Sequence, residues 1–311
     1  MRGLKDLFLL YLKGIAMGSA DVVPGVSGGT IAFITGIYEQ LLNSIKSIDL
    51  EAFGLLRKFK IKELWAHING TFLAALGLGI ATSIFTLAKV ITHLLSTYPI
   101  QVWSFFFGLI VISALIILRE IKKWDVGVFL GIIAGCAAAY FITSAIPAET
   151  PEASWFLFIA GAVAICAMIL PGISGAFILL LFGKYEYVLT ALKELRIGEI
   201  LIFMAGCLVG LLSFARVVSW LFNKYHNLTV GVLSGFMIGS LNKVWPWKEA
   251  IQTYVDRHNE IKPLVEANVL PTDYLAKTGQ EPFFLQAVLF AAGGFLIVLA
   301  IDRLGAYLKN D

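Results

Sequence analysis

Two stretches of this chain are copies of one another, and both centre on the same Pro-Gly turn set in apolar sequence. Residues 20–45 read ADVVPGVSGGTIAFITGIYEQLLNSI, and residues 167–192 read AMILPGISGAFILLLFGKYEYVLTAL. At an offset of 147, ten of the twenty-six positions are identical, including all of PGxSG and a later Tyr-Glu. The match resumes at an offset of 127, where Tyr98 faces Tyr225, Gly108 faces Gly235 and Ser113 faces Ser240. The basic stretch 46–63 is the extra sequence of the first copy. A repeat of this length means that one structural unit is used twice. The units are expected at residues 1–148 and 149–311.

The solvent of those units follows from composition. The mean hydropathy is +0.84, with 59% hydrophobic residues and 14% charged. Soluble domains carry about a quarter charged residues, so the bilayer must take up the apolar surface. Five apolar segments fall in each half, near 4–20, 26–44, 67–95, 100–118 and 125–146, then 154–170, 173–191, 199–222, 227–245 and 283–302. The first two of each half are short for a span of about 20 residues and are joined through Pro-Gly, as in a re-entrant hairpin. The expected fold is an all-α polytopic membrane protein of two inverted-topology repeats. Each has a hairpin (about 4–44 and 154–191) followed by three transmembrane helices (about 67–146 and 199–302), with a long outside loop at 246–282.

Inversion follows from parity. A hairpin returns to its own side, and three further crossings end on the other, so the second copy starts upside down. The loops agree with this. With both termini cytoplasmic, segments 1–5, 46–62, 119–123, 224–226 and 303–309 lie inside and hold most of the Lys and Arg. The outside loop 245–282 has four basic and six acidic residues. This is the positive-inside pattern, and Trp65, Trp103, Trp124, Trp155, Trp220, Trp245 and Trp247 near segment ends suit an aromatic belt.

The chemistry is expected at the turns. Pro starts a helix without wasting an N–H, and glycine permits close backbone approach. A helix beginning at such a turn points free amides and its positive end at an anion, of which phosphate is the usual case. The expected phosphate-binding residues are Gly25, Ser27, Gly28, Gly29 and Thr30 in the first copy and Gly172, Ser174 and Gly175 in the second. Irregular backbone at membrane depth is tolerated where it is buried in protein or lines a cavity, although small residues also pack there for steric reasons alone. Lys89 and Arg216 form a repeat-matched cationic pair, and Lys13 lies part-way along the first segment; each either snorkels or attracts a headgroup. Asp21, whose repeat partner is Met168, either caps the following helix or carries a coupling proton or cation. Glu39 and Glu186 are further coupling candidates, twelve residues past the turns, which is about 18 Å along a straight helix.

Other classes find less support. The net charge of +3 is too small to suggest nucleic acid as a partner, and His67, His93, His226 and His258 show no metal spacing. No nucleotide motif, catalytic triad or acidic metal cluster occurs, so no cofactor and no enzyme activity are expected. A carrier of a soluble anion is the nearest alternative, and a membrane polyprenyl-pyrophosphate phosphatase a more distant one.

Over nearly its whole length the sequence resembles the bacterial and archaeal family once called domain of unknown function 368, now regarded as polyprenyl-phosphate translocases (PopT). The carrying residues are Asp21-x-x-Pro24-Gly25-x-Ser27-Gly28-Gly29-Thr30 and Pro171-Gly172-x-Ser174-Gly175, followed by Tyr38-Glu39 and Tyr185-Glu186. The resemblance implies a cytoplasmic-membrane flippase that recycles undecaprenyl phosphate for peptidoglycan and other envelope polymers.

Overall fold

A computed structural model describes residues 3–23, 25–148, 150–151, 153–255 and 261–309, without the side chains of 254–255, 261–264 and 304–309. Pro24, Glu149 and Glu152 therefore lie outside the described residues. The chain runs α1 (Leu4–Asp21), α2 (Gly28–Ile34), α3 (Tyr38–Lys46), α4 (Leu50–Arg57), α5 (Ile61–His67), α6 (Gly70–Thr86), α7 (Ala88–Thr97), α8 (Pro99–Leu118) and α9 (Val126–Ser144). It continues with α10 (Ser154–Ile169), α11 (Gly175–Leu181), α12 (Tyr185–Lys193), α13 (Ile197–Lys224), α14 (His226–Ser240), β1 (Lys248–Val255), β2 (Ile261–Asn268), α15 (Pro271–Thr278) and α16 (Phe284–Lys309). By length and composition α8, α9, α13 and residues 284–303 of α16 can each cross a membrane, and two bent pairs, α5–α6 and α11–α12, raise this to six. The protein is a multi-pass, helical membrane protein.

Helix pairing follows the repeat down to single glycines. α1 packs along α6, with Gly14 against the Leu76 carbonyl and Gly79 against that of Tyr11. α10 packs along α13 in the same way, Gly161 on the Phe203 carbonyl and Gly206 on that of Phe158. Each residue of the second set is its counterpart in the first displaced by 147 or 127, the offsets of the sequence repeat. The remaining long helices exchange between halves. α8 packs on α16 through Gly108 against Ala291 and Gly294 against Phe105, whereas α14 packs on α9 through Gly235 against Ile132 and Gly135 against Val232. In lipid no hydrophobic force selects one apolar helix over another, so backbone approach at small residues supplies the pairing energy.

Several segments differ from the expectation. The return arms 26–44 and 173–191 are not continuous helices. Each breaks at a left-handed glycine, Gly36 (φ 68°) and Gly183 (φ 61°), again 147 residues apart. α11 and α12 meet at 106°, so the straight-helix distance from turn to Glu186 does not apply. The segment 67–95 is likewise divided, α5 meeting α6 at 72° and α6 giving way to α7 at Leu87. Its counterpart α13 is one helix of 28 residues. The loop 246–282, expected outside, is structured in its described residues, with β1 and β2 antiparallel, Lys248 facing Asn268 and Ala250 facing Glu266. Trp245 and Trp247 serve that loop as well as any interface. Their indoles donate to the Val269 carbonyl (2.9 Å) and the Pro282 carbonyl (2.8 Å), and Trp247 is buried. Trp65, Trp124, Trp155 and Trp220 are about half exposed, as a belt requires.

Candidate functional site

The two Pro-Gly turns touch. Gly25 and Gly172 both adopt the left-handed region, at φ 83° and 89°, which reverses the chain there without the strain a side chain would add. The Ser27 hydroxyl donates to the Met168 carbonyl across the pair (2.7 Å), and the Gly172 amide donates to Thr30 Oγ1 (3.0 Å). Gly29 lies against the carbonyl of Ile169, and a Cβ there would collide with it. Ser27, Thr30 and Ser174 are buried. Buried hydroxyls and amides need partners, and Ser27, Thr30 and the Gly172 amide find theirs in the opposite turn.

The head of α2 is not bare in this conformation. The Gly28 amide donates to Asp21 Oδ1 (2.7 Å), the Gly29 amide to the Ser27 hydroxyl (3.0 Å), and the Thr30 amide to the Ser27 carbonyl (2.9 Å). The Asp21 carboxyl thus stands at the head of the helix and caps it, the first of its two readings. The copies are not equivalent here. Ser174 makes no such cap on α11, and Met168, the counterpart of Asp21, supplies only its backbone carbonyl, to Ser27. Gly175 packs on the Ala164 carbonyl.

The expected cations lie elsewhere. Lys13 donates to the Thr35 carbonyl (2.8 Å) and lines a cleft of about 270 Å³ with Asp6, Leu9, Leu10, Ile37 and Gln40. Arg216 is tied to the Ile48 carbonyl (2.9 Å) and to Leu212 one turn back (2.8 Å), so it fastens α13 to the α3–α4 turn. Lys89 is exposed on α7. The Arg216–Lys89 symmetry of the sequence is lost where α6 gives way to α7 at Leu87 while α13 runs on unbroken. Glu39 meets His226 at 3.4 Å at the start of α3, and Glu186 occupies the matching position of α12.

A second polar site was not legible beforehand. A cavity of about 310 Å³ opens between the C-terminal ends of α9 and α14, α11 and the β-hairpin. Lys243, Lys248 and Glu266 line it. Glu266 takes both ammoniums, at 3.2 Å from Lys243 and 3.6 Å from Lys248. Lys248 also donates to the Lys243 carbonyl (2.6 Å) and lies 4.2 Å from the centre of the Trp103 ring; Lys243 lies 4.8 Å from that of Phe177. Burial pushes the Lys248 ammonium down to about 8, against the opposing pull of Glu266. Burial alone would raise Glu266, but the Lys248 and Lys243 charges and hydrogen bonds together outweigh it and hold the carboxyl below its usual range. The side chain of Lys243 lies against Gly25, where a Cβ would stand 2.6 Å from its Cγ, so this cavity adjoins the first turn.

The sequence matches the undecaprenyl phosphate translocase-like family over residues 17–262, which includes both turns and β1. The chain belongs to that family. It is 47% identical over 293 residues to the polyprenyl-phosphate transporter of Vibrio cholerae serotype O1, covering 94% of this chain and 95% of that one. A polyprenyl-phosphate transporter of Staphylococcus aureus is 35% identical over 254 residues, covering 76% of this chain and 85% of that one. No solved structure is matched. As a member of the family, the chain sets its two repeated motifs in direct contact among buried helices, with a cavity bearing two lysines on one side and the Lys13 cleft lined by α1 and α3.

Proposed function

We propose that this chain is a flippase for polyprenyl phosphate of the undecaprenyl phosphate class, acting in the cytoplasmic membrane of its cell. Membership of the family and the names of both relatives support the cargo. The observation that carries the reading is the contact between the turns: two copies of PGxSG bonded through Ser27, Thr30 and the backbone of residues 168–172. A phosphate cannot enter hydrocarbon unpaired. Here it passes a protein-lined polar junction while its tail stays in lipid. Gly25, Ser27, Gly28, Gly29, Thr30, Gly172, Ser174 and Gly175 are assigned to that junction, Lys13 and Arg216 to the cytoplasmic approach, and Lys89 to the outer one.

The two copies, 1–148 and 149–311, are read as inverted repeats with both termini in the cytoplasm. Contacts between loops support this. Glu39 with His226, and Lys122 with Asn227, each join two segment ends that the parity puts at the inner face. Lys184 with Thr150, and Asn242 with Ser144, each join two segment ends that the same parity puts at the outer face. Parting of the turns toward one face and then the other is alternating access at a repeat interface. Asp21 occupies the amide that the headgroup would use, so headgroup arrival and release of that carboxylate are linked events. That is a physical route to proton or cation coupling, with Glu39 and Glu186 as further carriers.

The test is leaflet exchange of a polyprenyl phosphate in proteoliposomes containing wild type, Ser27→Ala, Thr30→Val, Ser174→Ala or Arg216→Ala. Exchange falls in the first two variants. Wild-type exchange in both Ser27→Ala and Thr30→Val would falsify the assignment of the junction.

A further inference from the structure

The reading above leaves the cavity of Lys243, Lys248 and Glu266 without a task, and its chemistry is specific. Two ammoniums converge on one carboxylate in a half-closed space of about 310 Å³. With Glu266 ionised, the trio carries a net positive charge. Lys248 is almost wholly buried, and its side-chain partners are Glu266 and the face of Trp103. Burying a second cation beside the first is costly unless an anion meets it. Around the trio the rest of the lining is uncharged, a mixture of polar and apolar residues. Asn242 donates to Ser144 (3.1 Å), and Asn268 donates to both oxygens of Asn242 (2.8 Å each). Phe177 and Trp103 present ring faces to the two ammoniums.

We propose that this cavity is a phosphate-monoester site, in which Lys243 and Lys248 take the phosphate oxygens and Glu266 is the internal anion that the phosphate displaces. A phosphate monoester carries about 1.5 to 2 negative charges near neutral pH and offers three acceptor oxygens. It therefore matches two ammoniums better than the single carboxylate that now joins them. Resting on the flippase reading and its topology, the site faces outward, and Lys243 against Gly25 connects it to the junction of the turns. The cavity is the outer receptor for the headgroup, one step before the Ser27–Thr30 crossing. β1 and β2 exist on this account to bring Glu266 and Lys248 over the end of α14.

The experiment measures binding to the full chain in lipid nanodiscs, with a short-chain prenyl phosphate, inorganic phosphate and the matching prenyl alcohol as probes. Lys248→Gln and Lys243→Met are expected to weaken prenyl phosphate binding on the order of tenfold each, as loss of a hydrogen bond to a charged group implies. Glu266→Gln is nearly isosteric, removes the competing anion, and is expected to tighten binding by a similar factor. Should Lys243→Met fail to fold because it packs on Gly25, the other two variants decide the matter. Binding of the prenyl phosphate but not the alcohol supports a lipid-headgroup site; equal affinity for inorganic phosphate assigns the same residues to the free anion. Unchanged prenyl phosphate affinity in both Lys248→Gln and Glu266→Gln overturns the proposal. Ser27→Ala separates this from the junction: it slows exchange, and on that background Lys248→Gln and Glu266→Gln still shift prenyl phosphate affinity in the directions given. If it exchanges normally, the junction reading fails and the binding data still judge the cavity.

Discussion

Replacing Gly29 by alanine is the sharpest probe of the turn-to-turn contact, because the clash is with backbone. A Cβ there would lie 3.0 Å from the Ile169 carbonyl carbon and 3.1 Å from the Met168 oxygen, and closer still to the Ile169 oxygen. Relaxed C···O contacts are about 3.3 Å or more. A main-chain carbonyl at the end of α10 cannot swing aside, so the turns must part. Overpacking of this kind costs about 1–3 kcal/mol. Parting the turns also endangers the Ser27–Met168 and Thr30–Gly172 hydrogen bonds, worth about 1 kcal/mol each. Alanine recovers about 1 kcal/mol through helix propensity. The net is about 2–4 kcal/mol against this conformation, a shift of more than tenfold in its population. Gly77→Ala is the control, since that position has nothing within 4 Å; it should be neutral or stabilising by up to about 1 kcal/mol. The assay pairs the thermal midpoint of the purified protein with leaflet exchange in proteoliposomes. Gly29→Ala is expected to lower both and Gly77→Ala neither. If the two variants behave alike, the turns do not pack as described and the reasoning fails.

Three further outcomes follow from the same geometry. Thr30→Val leaves the buried Gly172 amide without its acceptor and should cost about 1–3 kcal/mol in thermal denaturation, whereas Thr30→Ser keeps the oxygen and should recover most of it. Lys248 is held near 8, below the ordinary lysine value of 10.5, so between those values the unfolded chain binds the extra proton and stability rises with pH. Lys248→Met should flatten the melting temperature across that window, and in the wild type phosphate binding at the cavity should weaken as pH rises through about 8. Arg216→Gln removes the tie between α13 and the Ile48 carbonyl; a melting temperature lowered by a few degrees with unaltered phosphate affinity is expected, and a tenfold loss of affinity would place Arg216 in the binding site instead.

The repeat, the apolar segments and the turns were legible because each is local. An identity such as PGxSG at an offset of 147 needs no knowledge of the partner it will meet, and hydropathy reports the solvent directly. The bends at Gly36 and Gly183 were written in the sequence as matched glycines, yet apolar residues continue on both sides and mask the break. The cluster of Lys243, Lys248 and Glu266 had no such signal. Its loop reads as net acidic, which hides a local surplus of positive charge, and a strand reversal is needed to bring Glu266 back beside Lys248. The β-branched and aromatic run IQTYV was a hint of a strand there, but not of its partner.

Sequence alone determined that the chain lives in lipid, that it uses one unit twice, and where its two glycine turns fall. Tertiary structure decided which helices exchange between the halves, that Asp21 fills the head of α2, and that Arg216 fastens a loop while Lys243 reaches the first turn. The reason is that one apolar helix can pack on any other. Only the matching of small residues to opposing carbonyls in three dimensions selects a partner, and only that selection settles which distant side chains share a cavity.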